Sequence, residues 1–136
     1  MKAYTGVGSR STPEDIMKMM STLASKLEAN GWILRSGAAD GADTGFEKGV
    51  VNPFNKEIYL PWDGFKDRWE EDGGGTAPGD FDLQERAHHI AKEIHPAWNR
   101  CSRAAMRLHS RNCFQVLGQD LESPSKFLVC WAEVDK

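Results

Sequence analysis

Two short glycine-rich segments carry residue types that can bind a phosphate. The first, Gly8-Ser9-Arg10, combines a glycine backbone that allows close approach with a hydroxyl donor and a guanidinium group. In the second, with the sequence SGAADGAD, the expected ligand contacts are Ser36, Gly37, Ala38, Asp40, Gly41 and Asp43. Asp43 can accept hydrogen bonds from a ribose or a base. The alternative for either segment is a tight turn in which glycine serves only the backbone geometry.

A series of four arginines is the next candidate for anion binding. They are spaced by three, four and four residues, at Arg100, Arg103, Arg107 and Arg111. A helix that extends back to Asn99 would place them in one basic stripe, which can hold phosphates or a nucleic-acid backbone. We expect Arg107 and Arg111 to contact the ligand. The alternative is a solvated helix face whose arginines pair with Asp120 and Glu122.

The remaining polar residues give weaker signals for catalysis. Asp40, Asp43 and Glu47 could together activate a water molecule, or they could simply cap a helix. No nucleophile elbow, Walker lysine or Ser–His–Asp order is recognisable in the sequence. The catalytic residues are therefore unknown, and the sequence leaves open whether the protein is an enzyme.

The histidines and cysteines lack the spacing of a metal site. His109 and Cys113 are four residues apart, but no C-x-x-C, H-x-x-x-H or H-E-x-x-H pattern is present. We therefore expect no metal and no cofactor. Cys130 lies in an apolar run and is expected to be a small core residue.

The elements that must position these residues alternate between strand and helix. Strands are predicted at 2–7, 32–35, 56–60 and 127–131. Helices are predicted at 13–30, 43–50, 81–94 and 102–117, the first of them capped by Ser11 or Thr12. The last strand is continuously apolar, which is typical of a central strand buried on both faces. The order predicts an α/β fold of the Rossmann-like three-layer type, with a short, mostly parallel sheet of about four strands.

Residues 62–80 interrupt this alternation and are expected to form a long irregular loop. Loops of this length are usually functional or mobile. Three aromatic residues fall in it, Trp62, Phe65 and Trp69. They could stack on a base or cover the edge of the sheet, and the sequence favours neither interpretation.

The composition places the chain among ordinary globular proteins. It has 136 residues, 40% of them apolar, with a formal net charge of −3, and we expect one domain over residues 1–136. No apolar run reaches the length of a membrane span, and no signal peptide is recognisable at the start. Three cysteines without paired spacing fit a reducing compartment, so we expect a cytoplasmic protein. The acidic net charge argues against bulk attraction to nucleic acid or membranes.

The two glycine-rich segments and their spacing resemble the SLOG superfamily of Rossmann-like proteins. The residues that carry this resemblance are Gly8, Ser9, Arg10, Ser36, Gly37, Gly41 and Asp43. The superfamily includes the DNA-processing protein DprA, the LOG phosphoribohydrolases and nucleotide-sensing domains of antiviral proteins. The segments 95–98, 108–112 and 118–121 are similar to small bacteriophage-encoded, DprA-like members.

The resemblance implies a ligand and a role. It implies binding of a phosphate- or ribose-bearing nucleotide at the carboxyl ends of the strands, such as an ADP-ribose-like or a cyclic nucleotide. For a phage protein with an anti-defence role, the implied purpose is to sequester a host nucleotide signal. One alternative is a LOG-like nucleotide-cleaving hydrolase, and a second, weaker one is a DprA-like module for single-stranded DNA.

The resemblance also implies a further turn at the phosphate site. In the superfamily a G-G-T turn and a helix normally follow the last strand and complete the phosphate site, and residues 132–136 do not contain them. Gly74-Gly75-Thr76 lies in the long loop, outside a strand-to-helix context. Whether a second subunit completes the site stays open at this point. Separately, the short sheet and the apolar last strand at 127–131 favour a homodimer, and we expect no membrane partner.

Overall fold

The computed structural model describes residues 2–134, which form four β-strands and four α-helices in the predicted order. The strands are β1 (Ala3–Gly8), β2 (Ile33–Ser36), β3 (Lys56–Ile58) and β4 (Leu128–Trp131). The helices are α1 (Glu14–Ala29), α2 (Ala42–Lys48), α3 (Phe81–Ile94) and α4 (Arg103–Leu117). Single 3-10 turns occur between these elements, two of them in the segment that joins β3 to α3.

The sheet is parallel throughout, with the strand order β3-β2-β1-β4. In the register, Ala3 lies opposite Ile33 of β2, and Thr5 lies opposite Leu128 of β4. The chain moves from β1 through β2 to β3 and then returns across the sheet to β4. The direction of winding therefore changes between β1 and β4, where open α/β sheets have their ligand crevice. The predicted α/β, Rossmann-like three-layer fold is confirmed.

Helices α1 and α2 cover one face of the sheet with an apolar core. Its buried members are Tyr4, Met20, Ala24, Leu34, Ala42, Phe46 and Val50. The predicted cap of α1 is wrong, because the residue before the helix is Pro13 rather than a capping Ser11 or Thr12. Thr12 is buried instead, and its hydroxyl donates to the Ser9 carbonyl oxygen at 2.6 Å.

Helix α4 packs on the opposite face, and α3 packs on α4. Thr5 points to this face because strand side chains alternate, and its hydroxyl donates to the Gln115 carbonyl oxygen of α4 at 2.5 Å. Between α3 and α4 lies a separate cluster of buried residues, Ala87, Ala91, Trp98, Cys113 and Leu121. The layers are therefore α1 with α2, the sheet, and α4 with α3 outside it.

Strand β4 corrects the prediction of a central strand. It pairs with β1 and forms an edge of the sheet. Val129 and Trp131 pack against the apolar core, whereas Leu128 is 48% exposed and Cys130 is exposed. A continuous apolar run is typical of a strand buried on both faces, but within residues 2–134 the face of β4 that carries Leu128 and Cys130 is left exposed. Cys130 is consequently not a core residue.

The segment between β3 and α3 is irregular but anchored. Arg68 donates two hydrogen bonds of 2.6 Å to the carboxylate of Glu47 on α2, and Leu60 N donates to the Thr76 carbonyl oxygen at 2.9 Å. These contacts fold the segment back along the end of β3. None of the helices described in the structure has both the length and the apolar character needed to traverse a bilayer.

Candidate functional site

The two glycine-rich turns follow β1 and β2 and lie in direct contact. The backbone N–H of Ala42 donates to the Ser9 carbonyl oxygen at 3.2 Å. Gly41 has a φ of 79°, and a Cβ there would lie 2.4 Å from the same oxygen. Gly8 is equally confined, since its Cβ would lie 2.5 Å from the carbonyl oxygen of Trp131 in β4. Both glycines are therefore required for the two turns and β4 to approach one another.

The first turn uses most of its polar groups internally. Ser9 N–H donates to the Trp131 carbonyl oxygen at 2.9 Å. The Ser9 hydroxyl lies 2.8 Å from the Ser11 hydroxyl and accepts from Ser11 N at 3.1 Å. The Arg10 side chain is exposed and has no hydrogen bond or ion pair within residues 2–134. Of this turn, the Arg10 guanidinium is the group most available to a ligand.

The second turn is filled by side chains from α4. Arg111, only 6% exposed, donates through Nη1 to the carbonyl oxygens of Gly37 (2.7 Å) and Tyr59 (3.0 Å). In the amide orientation that satisfies both donors, the Gln115 side-chain oxygen accepts from Gly37 N at 3.0 Å and from Arg111 Nε at 3.2 Å. Ser36 is fully buried, and its hydroxyl donates to the Gly6 carbonyl oxygen at 2.6 Å. This turn therefore positions Arg111 rather than presenting its own N–H groups to solvent.

Asp43 lies beneath the second turn as a buried carboxyl group. It is 4% exposed, and its Oδ2 accepts from the backbone N–H of Ala39 at 3.3 Å. Burial raises the pKa of Asp43 to about 6, although the positive charge of Arg111 acts in the opposite direction. Burial also lowers the pKa of Arg111 to about 10, and Asp43 opposes that shift. The two residues are therefore buried close enough for their opposite charges to act on each other.

A cavity of about 610 Å³ adjoins Arg111 at the carboxyl end of the sheet. Its walls are the residues after β3, the start of α3 and one face of α4. Both Arg107 and Arg111 line it, and Arg111 Nη2 makes no hydrogen bond within residues 2–134. Aromatic side chains of Trp62, Phe81 and Phe114 supply part of the remaining surface. Pockets of this size are typical of small-molecule sites.

The structure does not bring all the predicted site residues together. Asp40 is exposed and forms an ion pair with Lys66 at 3.0 Å. Glu47 is held by Arg68 and by Lys56, whose Nζ lies 2.8 Å from its carboxylate. The three carboxylates near the second turn thus have separate partners and do not converge on one point.

The predicted arginine stripe is wrong in two respects. Helix α4 begins at Arg103, so Arg100 lies before it in a 3-10 turn. Arg111 faces the sheet and is buried, whereas Arg103 and Arg107 are exposed. The expected acidic partners are occupied elsewhere. Glu122 lies 3.6 Å from Arg86, and Asp120 accepts hydrogen bonds from Glu122 N and Ser123 Oγ.

The aromatic residues of the long segment have different roles. Phe65 is buried, packs edge to face with Trp62 and lies under the Arg111 guanidinium, whose Cζ is 5.6 Å from the ring centre. Trp69 covers the backbone of Gly64, where a Cβ would lie 2.7 Å from the indole. Phe65 therefore packs with Ile58 and Leu60 at the edge strand β3, Trp69 packs within the segment itself, and Trp62 is the one that lines the cavity.

Sequence reasoning missed two residues that hold the site. Tyr59 contributes a carbonyl oxygen and Gln115 an amide to the position of Arg111. The signal for Gln115 was its place one helical turn after Arg111 on the same face. The signal for Tyr59 was weaker, since any residue that ends a strand can offer its carbonyl.

Comparison with protein-family models, with curated proteins and with solved structures finds no match to this chain. The resemblance of the two turns to the SLOG superfamily therefore stays a prediction.

Proposed function

We propose that this protein binds a nucleotide-like small molecule in the cavity beside Arg107 and Arg111. The single observation that supports this function most strongly is the buried guanidinium of Arg111, which lines a cavity of about 610 Å³ at the carboxyl end of a parallel sheet. A desolvated guanidinium attracts an anion much more strongly than an exposed one does.

The position of Arg111 is fixed before any ligand arrives. Two carbonyl oxygens hold Nη1, and Phe65 lies under the guanidinium plane. Binding an anion at the free Nη2 therefore costs little side-chain entropy. Arg107 is exposed on the same wall one helical turn earlier, and it adds a second positive charge that can reach a phosphate.

The rest of the cavity fits the other parts of a nucleotide. Carboxylates of Asp63 and Glu85 line it and can accept hydrogen bonds from ribose hydroxyls or from an exocyclic amine. Trp62 and Phe81 offer aromatic surface on which a base can stack. Phosphate, sugar and base thus each have a chemically matched group on the wall.

Isothermal titration calorimetry with ADP-ribose, a cyclic mononucleotide and AMP tests this proposal. We expect at least one of them to bind, and Arg107→Met to weaken its binding by at least about tenfold. Arg103→Met is the matched control, because Arg103 is exposed on the same helix but does not line the cavity. Its affinity should stay within about twofold of the wild type. No binding by any of the three, or equal losses in the two variants, would overturn the proposal.

A third variant, Arg10→Met, distinguishes the cavity from the crevice beside β1. If affinity depends on Arg10 and not on Arg107, the ligand binds in the crevice between β1 and β4, where the direction of winding changes, and the cavity is not the site.

We further propose that the ligand leaves unchanged, in line with sequestration of a nucleotide signal. The separate partners of Asp40, Asp43 and Glu47 do not favour a shared water-activating group. Recovery of cleaved ligand after incubation would contradict this part.

A further inference from the structure

A second cluster of reactive side chains lies where α3 meets α4, away from the sheet. His95 follows the last residue of α3, Cys101 lies in the turn before α4, and His109 is on the second turn of α4. One donor atom from each lies within 4.8 Å of the other two, and all three side chains are half-buried. The nucleotide proposal does not use any of them.

The distances within the cluster are close to those of a coordination sphere. The Cys101 Sγ lies 3.9 Å from His95 Nε2 and 4.0 Å from His95 Nδ1. The rings of His95 and His109 have centroids 4.5 Å apart, with an angle of 55° between their planes. In a tetrahedral zinc site the sulfur and nitrogen ligands are about 3.5 Å apart, as follows from the usual bond lengths. Small side-chain rotations bring the three donors to that separation.

We propose that His95, Cys101 and His109 bind a zinc ion. Two imidazoles and one thiolate form a donor set that zinc prefers, and that magnesium and calcium do not. Binding is charge-balanced by loss of the Cys101 thiol proton to solvent, which leaves a thiolate on the metal. The protein supplies three ligands, so the fourth position is left to water. His95 lines an open cavity of about 500 Å³, so solvent reaches the cluster on the side of this ligand.

The Trp98 ring packs against the first ligand, and one hydrogen bond to that ligand is lost on coordination. The Trp98 ring lies against His95, with centroids 6.3 Å apart, and is itself buried. The backbone N–H of Ala97 donates to His95 Nδ1 at 3.0 Å, which places the ring proton of a neutral imidazole on Nε2. Coordination through either nitrogen replaces this hydrogen bond. Zinc binding therefore removes one hydrogen bond of the protein and forms three metal–ligand bonds.

Zinc in this position would join the end of α3 to α4. These helices otherwise meet through the buried cluster of Ala87, Ala91, Trp98, Cys113 and Leu121. Because both helices also form walls of the larger cavity, the metal would stabilise those walls without entering the cavity. A bound ion stabilises the folded state in proportion to the logarithm of its concentration.

Cobalt substitution tests the site in the whole chain. After removal of metal by a chelator under reducing conditions, Co²⁺ is titrated into the protein and the absorption spectrum is recorded. We expect one equivalent to give the d–d bands of a tetrahedral ion together with a thiolate-to-metal charge-transfer band. Zn²⁺ should displace it with the same stoichiometry and should raise the melting temperature. A spectrum without the charge-transfer band would overturn the proposal.

Two variants and a matched control assign the ligands. Cys101→Ser should abolish the charge-transfer band, and His109→Gln should weaken Zn²⁺ binding by at least about a hundredfold in a chelator competition. Cys130→Ser, at an exposed thiol outside the cluster, should leave both the charge-transfer band and the zinc affinity unchanged.

Circular dichroism checks that each variant is folded. If His109→Gln does not fold, the nearly isosteric Cys101→Ser is sufficient for the test. Zinc binding that survives Cys101→Ser undiminished, or that falls equally in Cys130→Ser, would refute the site. Arg107→Met should bind zinc normally, so the two proposals can fail independently.

Discussion

The two faces of the sheet are built from different chemistry. Toward α1 and α2 the strands present Tyr4 and Leu34, which pack with Phe46 in an apolar core. Toward α4 they present Thr5 and Arg35, which are buried and hydrogen-bonded. Residues one position apart in the same strand thus belong to an apolar face and a polar one.

This difference gives the two faces different roles, one in stabilising the fold and one in positioning α4. Apolar burial contributes in proportion to area and tolerates small shifts of the helices. On the polar face each group needs a partner at a defined distance, as the Thr5 hydroxyl has in the Gln115 carbonyl oxygen of α4 at 2.5 Å. Such contacts fix α4 relative to the sheet, and α4 carries Arg111. We infer that the apolar face mainly stabilises the fold, and that the polar face mainly positions the Arg111 guanidinium.

The largest effect is expected on the apolar face. Phe46→Ala removes a fully buried ring and should lower the free energy of unfolding by about 4 kcal/mol, measured by urea denaturation. Phe54→Ala is the control, because Phe54 is 89% exposed and should cost about 0.5 kcal/mol or less. Nucleotide affinity of the folded Phe46→Ala protein should stay within about twofold of the wild type. A strong loss of affinity there would break the division between the two faces.

The next effect concerns the buried carboxyl group of Asp43. Its pKa is about 6 in the folded protein against an ordinary value of 3.8, so between about pH 4 and 6 the folded state holds a proton that the unfolded state has lost. The contribution of Asp43 to stability is therefore greatest below pH 4 and falls as the pH rises to 6, by up to about 3 kcal/mol.

Asp43→Asn isolates this contribution, because other carboxyl groups titrate in the same range. The difference in unfolding free energy between wild type and Asp43→Asn should shift by up to about 3 kcal/mol from pH 4 to pH 6.5, to the disadvantage of the wild type. Asp40→Asn makes the same charge change at an exposed neighbour and should show no such shift. A difference that does not vary with pH, or that favours the wild type as the pH rises, would contradict burial as the dominant influence on the pKa of Asp43.

Local sequence patterns predicted the fold because they report on single elements. Apolar periodicity and turn residues located all four strands and helices to within a few residues, and the alternation of strand and helix required a parallel sheet. The contact between the two glycine-rich turns followed from that sheet, since β1 and β2 are neighbours.

The errors arose where tertiary partners decide. Helical spacing grouped Arg111 with Arg107, but it did not show that Gly37 and Tyr59 hold Arg111 inside the protein. An apolar run likewise could not reveal that β4 lies at an edge with one face uncovered. For the same reason, spacing rules found no metal-ligand pattern in His95, Cys101 and His109, which only the packing of α3 on α4 brings together.

The smallest effect tests the polar face directly, through Thr5. The Gln115 carbonyl is one of the last four of α4, which lack partners within the helix, and the Thr5 hydroxyl donates to it. Thr5→Val keeps the side-chain shape but removes this 2.5 Å hydrogen bond and leaves the acceptor only the longer 3.4 Å bond from Ser125 Oγ, so the unfolding free energy should fall by about 1 kcal/mol. The control is Thr22→Val at an exposed position of α1, which should change the unfolding free energy by about 0.5 kcal/mol or less.

If the polar face positions α4, Thr5→Val should also weaken nucleotide binding by more than Phe46→Ala does, although Thr5→Val destabilises the fold less. The reverse order of affinities would mean that Arg111 is held by its own contacts alone, and that the two faces contribute to one undivided core.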